Sequence, residues 1–140
     1  MTLSTVVKDA FSGRWKIDRK ITDLRDGTEG RLTGWAAFDP EGEAIIYTAE
    51  GTLKMRGEER MVTEFHRIEF VTPGRVEVFF DDGELFHHFD PRKDGPTAEH
   101  RHKGDLYRVA YDFHRPWEWR MVLHVTGPGK DFRAETRFTR

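Results

Sequence analysis

The chain has no cysteine among its 140 residues. That absence removes disulfides, thiolate nucleophiles and cysteine-ligated metals together. Serine is nearly missing as well: Ser4 and Ser12 are both N-terminal and lie outside any Gly-x-Ser-x-Gly elbow, which argues against a serine hydrolase. No apolar run is long enough to cross a bilayer, and residues 1–11, despite Val6-Val7, lack the continuous apolar stretch of a signal peptide. An excess of one charge is lacking too. With 23 basic and 25 acidic residues the net charge is −2, too little to draw in nucleic acid or an anionic membrane. These absences lead us to expect a cytoplasmic protein with neither nucleic acid nor membrane as partner. The length fits one domain, 1–140, large enough to bury a core without a metal or disulfide staple.

What the chain does contain is strand sequence. Turn signals recur at Asp26-Gly27, Pro40-Glu41-Gly42, Arg56-Gly57, Pro73-Gly74, Asp82-Gly83, Asp94-Gly95-Pro96, Lys103-Gly104 and Gly127-Pro128-Gly129. Between them lie short runs rich in aromatic and β-branched residues. In 14–21, Trp15, Ile17, Arg19 and Ile21 alternate with Arg14, Lys16, Asp18 and Lys20, and Leu32, Gly34, Ala36 and Phe38 repeat the period. Further strands are expected at 44–49, 51–56, 60–70, 75–80, 84–90, 98–102, 105–115, 117–126 and 131–139, with a short helix near 5–13. Ten or eleven strands joined by consecutive hairpins close naturally into an up-and-down antiparallel β-barrel with room for a small ligand. Residues 90–96 are expected to form a mobile loop. A flattened two-sheet sandwich is the alternative.

Polar residues fall where a core should be. Side chains alternate faces along a strand, so His87 shares a face with Leu85 and Phe89, and Asp105 with Tyr107, Val109 and Tyr111. Buried imidazoles and carboxylates need hydrogen-bond partners, and a group of them facing a cavity is a candidate site.

The landmark residues carry a resemblance. Trp15-x-x-x-Arg19, Gly30-x-x-x-Gly34-x-Ala36-x-Phe38, Tyr47-x-x-Glu50-Gly51, Arg67, Phe80-x-Asp82-Gly83-x-x-Phe86-His87, His100-x-x-x-x-Asp105-x-Tyr107 and Gly127-Pro128-x-Lys130-Asp131 together resemble the DUF6314 family. The match spans nearly the whole chain. That family comprises small bacterial and fungal proteins of uncharacterised function, and the resemblance implies a lipocalin-like (calycin-type) barrel. His102 is a departure, because cysteine is common at that position in the family pattern. The haem-binding nitrobindin-like barrels make a poorer comparison: here Gly13-Arg14-Trp15 runs into Lys16-Ile17-Asp18-Arg19 without their Gly-x-Trp-x-Gly-x-Gly glycines. No cofactor is expected.

Two chemistries suit these residues. As a binding barrel, the protein would take a small organic ligand, an acidic one included, with Arg19 as a bidentate clamp and Glu50, Arg67 and Trp119 in the lining. Trp119, Met121, Leu123 and Val125 would supply an apolar wall. The bland reading of Arg19 is an internal ion pair with Glu50 or Asp105. As an enzyme, the same barrel would use His87 or His100 as general base, Asp105 as its orienting carboxylate and Tyr107 as acid or oxyanion donor, a set suited to cofactor-free isomerisation, decarboxylation or cyclisation. The competing reading is a hydrogen-bonded network that only specifies packing. His100-x-His102 puts two imidazoles on one strand face, where His87 or Asp105 could complete a metal site, but this spacing is also common in exposed strands and no metal is assigned. Gly127-Pro128-Gly129-Lys130 leads into a strand and not a helix, so it is not a phosphate loop. A third reading makes Trp35, Trp117 or Phe79 a contact patch, and no motif specifies a homodimer through the outer face.

Overall fold

The computed structural model describes residues 3–115 and 117–140. One helix, α1 (Leu3–Phe11), precedes ten strands: β1 (Gly13–Asp23), β2 (Glu29–Glu41), β3 (Ala44–Met55), β4 (Glu58–Thr72), β5 (Arg75–Phe79), β6 (Leu85–Phe89), β7 (Thr97–His102), β8 (Asp105–Asp112), β9 (Glu118–Gly127) and β10 (Lys130–Thr139). All pair antiparallel in one sheet of order β6-β5-β4-β3-β2-β1-β10-β9-β8-β7. This is the expected up-and-down barrel with a short N-terminal helix. The sheet wraps round until its two edges, β6 and β7, lie beside each other without being hydrogen-bonded. The barrel is therefore nearly closed, with a seam.

Turn chemistry fixes the hairpins. Arg56-Gly57 (φ 54° and 73°) joins β3 to β4, and Lys103-Gly104 (φ 51° and 84°) joins β7 to β8. Two successive positive φ values in a two-residue loop match the right-handed twist of the flanking strands. Along β1, Trp15 and Ile17 point inward, and the same alternation brings in Leu32, Ala36 and Phe38 from β2. With Ile45, Tyr47, Phe70, Val76, Val109 and Trp119 they form one continuous, strongly aromatic core.

Three departures from the sequence reading have physical causes. First, 44–49 and 51–56 are one strand, β3. Gly51 lies opposite Gly34, and a Cβ on Gly34 would collide with the Glu50 carbonyl, so this glycine pair permits close backbone approach and does not break the strand. Second, β6 and β7 do not form the hairpin expected around 90–98. Side-chain rings fill that junction instead: Phe80 lies 4.2 Å from the His102 ring and Phe86 5.4 Å from Tyr107. Third, β8 ends at Asp112, short of 115.

The helix is tied down by its C-terminal turn. Trp15 Nε1 donates to the Phe11 carbonyl at 2.9 Å, and Arg140 donates to the Ala10 and Ser12 carbonyls while its guanidinium lies 3.9 Å over Trp15. A cation on the last carbonyls of a helix is favourably placed for the helix dipole. Phe11 is thereby held in the aromatic interior, 5.4 Å from Trp119 and 5.6 Å from Phe113.

Candidate functional site

A cavity of about 250 Å³ lies inside the barrel. Most of its wall is apolar, including Phe11, Phe38, Phe70, Phe86, Phe89 and Phe138. The expected wall of Trp119, Met121 and Leu123 is present, while Val125 is fully buried. Trp119 stacks face to face on Phe138 at 3.8 Å, which fixes the plane of its indole.

Two polar groups interrupt this wall. The first is centred on Arg19, which parity along β1 places inward. Its Nη1 and Nη2 donate to Glu64 at 2.7 and 3.0 Å, and its Nε donates to Thr136 Oγ1 at 2.7 Å. Tyr47 Oη donates to the same Glu64 at 3.1 Å. The partner is thus Glu64 and neither Glu50 nor Asp105. Burial works against both charges, but their mutual hydrogen bonds and attraction prevail, leaving Arg19 raised and Glu64 lowered from their ordinary values. Burial, followed by the Glu64 charge, pushes Tyr47 well above the usual phenol range. The guanidinium fork is already satisfied.

The second group is built by a β-bulge. Val78 pairs with His87 and Phe79 with Leu85, so Phe86 is the extra residue and both Phe86 and His87 are buried. His87 is 2 % exposed, and its Nε2 lies 2.6 Å from Tyr111 Oη. Burial, with smaller contributions from His66, His88 and His100, lowers its pKa to about 3, so it is neutral across the physiological range. Burial raises Tyr111 far above the ordinary phenol value. His87 Nδ1 and Trp119 Nε1 are buried without any hydrogen-bond partner. Both side chains line the cavity. Between the two groups sits His66, whose Nδ1 must donate to the Phe79 carbonyl at 3.0 Å, leaving Nε2 as a lone-pair acceptor. Burial lowers its pKa as well.

The other expected site residues are spread around the barrel. Asp105 accepts from Lys130 Nζ at 3.1 Å and its carboxylate crowds Gly127, at the turn end of β8. His100 and Tyr107 are cross-strand partners on β7 and β8, with Tyr107 packed against Phe80 and Phe86. Among the described residues, no side-chain hydrogen bond joins any of His87, His100, Asp105 and Tyr107 to another. Glu50 is exposed on the outer face, and Arg67 is held there by Glu69 at 3.0 Å. Trp35 and Trp117 are exposed as expected of a contact patch, whereas Phe79 is half-buried.

Outside the cavity, His102 stands with two acidic residues and not with His100. Asp82, Glu84 and His102 present donors within 4.8 Å of one another at the seam. His102 Nδ1 lies 2.9 Å from Glu84, and Lys103 Nζ lies 3.2 Å from Asp82. The set has the donors for a divalent cation. In this geometry its carboxylates already lie against the His102 ring and the Lys103 ammonium.

Glu64, His66 and Tyr111 are the site residues that sequence reasoning did not single out. Their signal was parity. Counting back from Ile68 and Phe70 on β4 puts His66 and Glu64 on the inner face, but Met61 and Phe65 on the opposite face are more apolar and obscured it.

Fold and cavity define a nearly closed, ten-stranded antiparallel barrel with an aromatic interior. The chain belongs to DUF6314, a family of unknown function whose model matches residues 11–140. Among solved structures it is similar to the S-type phycobiliprotein lyase CPES from Guillardia theta, at 9 % identity and TM-score 0.68, covering 100 % of this chain and 93 % of that one. It is also similar to EF1p2_mFAP2b bound to DFHBI, at 14 % identity and TM-score 0.54, covering 99 % of each chain. The redesigned β-barrel mFAP1 bound to DFHBI matches at 12 % identity and TM-score 0.52, covering 96 % of this chain and 98 % of that one. At such identities the likeness is one of fold. No curated protein matches the chain.

Proposed function

We propose that this barrel binds a small organic molecule in its interior. The observation that carries the reading is the cavity itself: about 250 Å³ of space lined by aromatic rings, with two buried polar atoms on lining side chains that the protein leaves unpartnered. Proteins rarely leave buried donors unmet, and pockets of this composition are what small-molecule sites are made of. Two of the similar barrels were solved with DFHBI bound, which supports the capacity of such an interior to hold a ligand.

The acidic variant of this reading requires Arg19 to exchange Glu64 for a ligand carboxylate, because its fork is already occupied. In the enzymatic variant His87 would be a base with a pKa of about 3, so weak that it would transfer little near neutral pH, while His100, the other candidate base, has no side-chain hydrogen bond to Asp105 among the described residues. Binding is the simpler function for these groups. Arg19 and Trp119 are then ligand-facing, and His100, Asp105, Tyr107, Glu50 and Arg67 support the barrel around the cavity. We place the protein in the cytoplasm, in keeping with its lack of cysteine, and any homodimer on the outer face. No helix among the described residues is long and apolar enough to cross a membrane.

The test is native mass spectrometry of gently purified protein beside its denatured mass. A discrete extra mass, lost on denaturation and absent from a variant whose cavity is filled by Ala134→Phe, is the expected result. An extra mass that persists in the filled variant would place the ligand elsewhere and refute the reading.

A further inference from the structure

The polarity of the cavity restricts what it can hold, given that it is a ligand site as proposed above. We propose that its ligand is an uncharged, flat aromatic molecule of one or two rings that presents hydrogen-bond acceptors to Trp119 and His87.

Size comes first. A cavity of about 250 Å³ lies just below the range of about 300–1,000 Å³ occupied by drug-sized ligands, which leaves room for a compact ring system. Shape follows from the lining. Trp119 and Phe138 are stacked with an interplanar angle of 4°, Phe38 meets them edge-on, and Phe86 and Phe89 stand on β6, so the walls are mostly ring faces and edges.

Charge is settled by bookkeeping of the ionised groups. Arg19 and Glu64 are the charged residues in the lining, and they neutralise each other through two hydrogen bonds. His66 and His87 are neutral. A ligand bearing a net charge would enter an apolar cavity with no free counter-ion, and burying an unpaired charge is costly.

The unmet atoms decide the hydrogen-bonding type. Trp119 Nε1 can only donate. His87 offers two arrangements. If Tyr111 donates to Nε2, the proton sits on Nδ1, and the pair leaves one unmet donor. If Nε2 donates to Tyr111, both Nδ1 and the tyrosine hydroxyl proton are left unmet. The first arrangement leaves fewer buried groups unsatisfied and is therefore favoured. Both orphaned atoms are then N–H donors, and their complement is an acceptor such as a ring carbonyl. Turning Trp119 Nε1 toward such a group sacrifices no protein hydrogen bond.

Three probes of nearly one shape separate these requirements: naphthalene, coumarin and coumarin-3-carboxylate, measured by equilibrium dialysis at pH 7.5 with the full chain. Coumarin should bind about five- to ten-fold more tightly than naphthalene, the value of one hydrogen bond, and more than about ten-fold more tightly than the carboxylate. The coumarin-to-naphthalene ratio should fall toward one in Trp119→Phe. His87→Phe supplies the same ratio if the first variant does not fold. Equal binding of naphthalene and coumarin, or tightest binding of the carboxylate, would overturn the proposed ligand class while leaving the cavity a binding site. Failure of all three to bind would overturn both.

Discussion

Acidification from pH 7.5 to 5 should cost this protein about 2 kcal/mol through His87 alone. Burial holds its folded pKa at about 3. In the unfolded chain the imidazole regains an ordinary value near 6.5. Between those values the unfolded state binds the extra proton, so this contribution is complete above about pH 6.5 and is lost as the pH falls toward 3. At pH 5 the unfolded residue is almost fully protonated, and about 1.4 kcal/mol per pH unit below 6.5 gives the stated loss. His66, also lowered by burial, acts in the same direction, while His114, raised by Asp112, acts in the other. Carboxylates add little above pH 5. The assay is urea unfolding of wild type and His87→Phe at pH 7.5, 6.5, 5.5 and 5. The variant should start lower, since Tyr111 loses its partner at a cost of about 1–3 kcal/mol, yet show a clearly shallower dependence on pH. Parallel curves would refute a buried, neutral His87.

The ion pair and the glycine corner yield two further expectations. Glu64→Gln strands the Arg19 guanidinium in the interior and should cost about 3 kcal/mol, lowering the melting temperature by roughly 10 °C; the apolar double replacement Arg19→Met with Glu64→Leu should recover most of this, and failure to do so would show that the pair is net stabilising. Gly34→Ala forces a Cβ into the Glu50 carbonyl and should destabilise by about 3 kcal/mol or prevent folding, whereas Gly42→Ala, where a Cβ meets no atom within 4 Å but φ is +59°, should cost about 1–2 kcal/mol in the same denaturation assay.

Period-two alternation was enough to read most of the fold. Trp15, Ile17 and Arg19 could be placed on one face from their spacing alone, and His87 was correctly assigned inward with Phe89, whereas the bulge at Phe86 turns Leu85, expected beside them, to the other face. The failures share a cause. Arg19 finds Glu64 45 residues away and Thr136 117 residues away, and strand parity says which side chains point inward without saying which strands meet. Asp105 was grouped with the histidines because it follows them closely in the chain, but it opens β8 and pairs with Lys130, at the opposite end of the strand from Tyr111. The seam was hidden for a different reason. Residues 84–90 and 98–102 look like a hairpin locally, and only the whole sheet order shows that the barrel begins and ends there.

That sheet order also has a kinetic consequence. Eight of the nine hydrogen-bonded strand pairs join consecutive strands and can form as local hairpins, while the ninth, β1 with β10, joins Lys16 to Thr139 and waits for almost the whole chain. Non-local pairing of this kind slows folding because the loop entropy is lost before any contact compensates for it. A circular permutant opened in the 90–96 loop, with its old ends linked, would run β7 through β10, then β1 through β6, in the same order as the sheet. Every pairing would become local without a single strand changing its neighbours, and the rate of refolding would rise while the native barrel stayed the same.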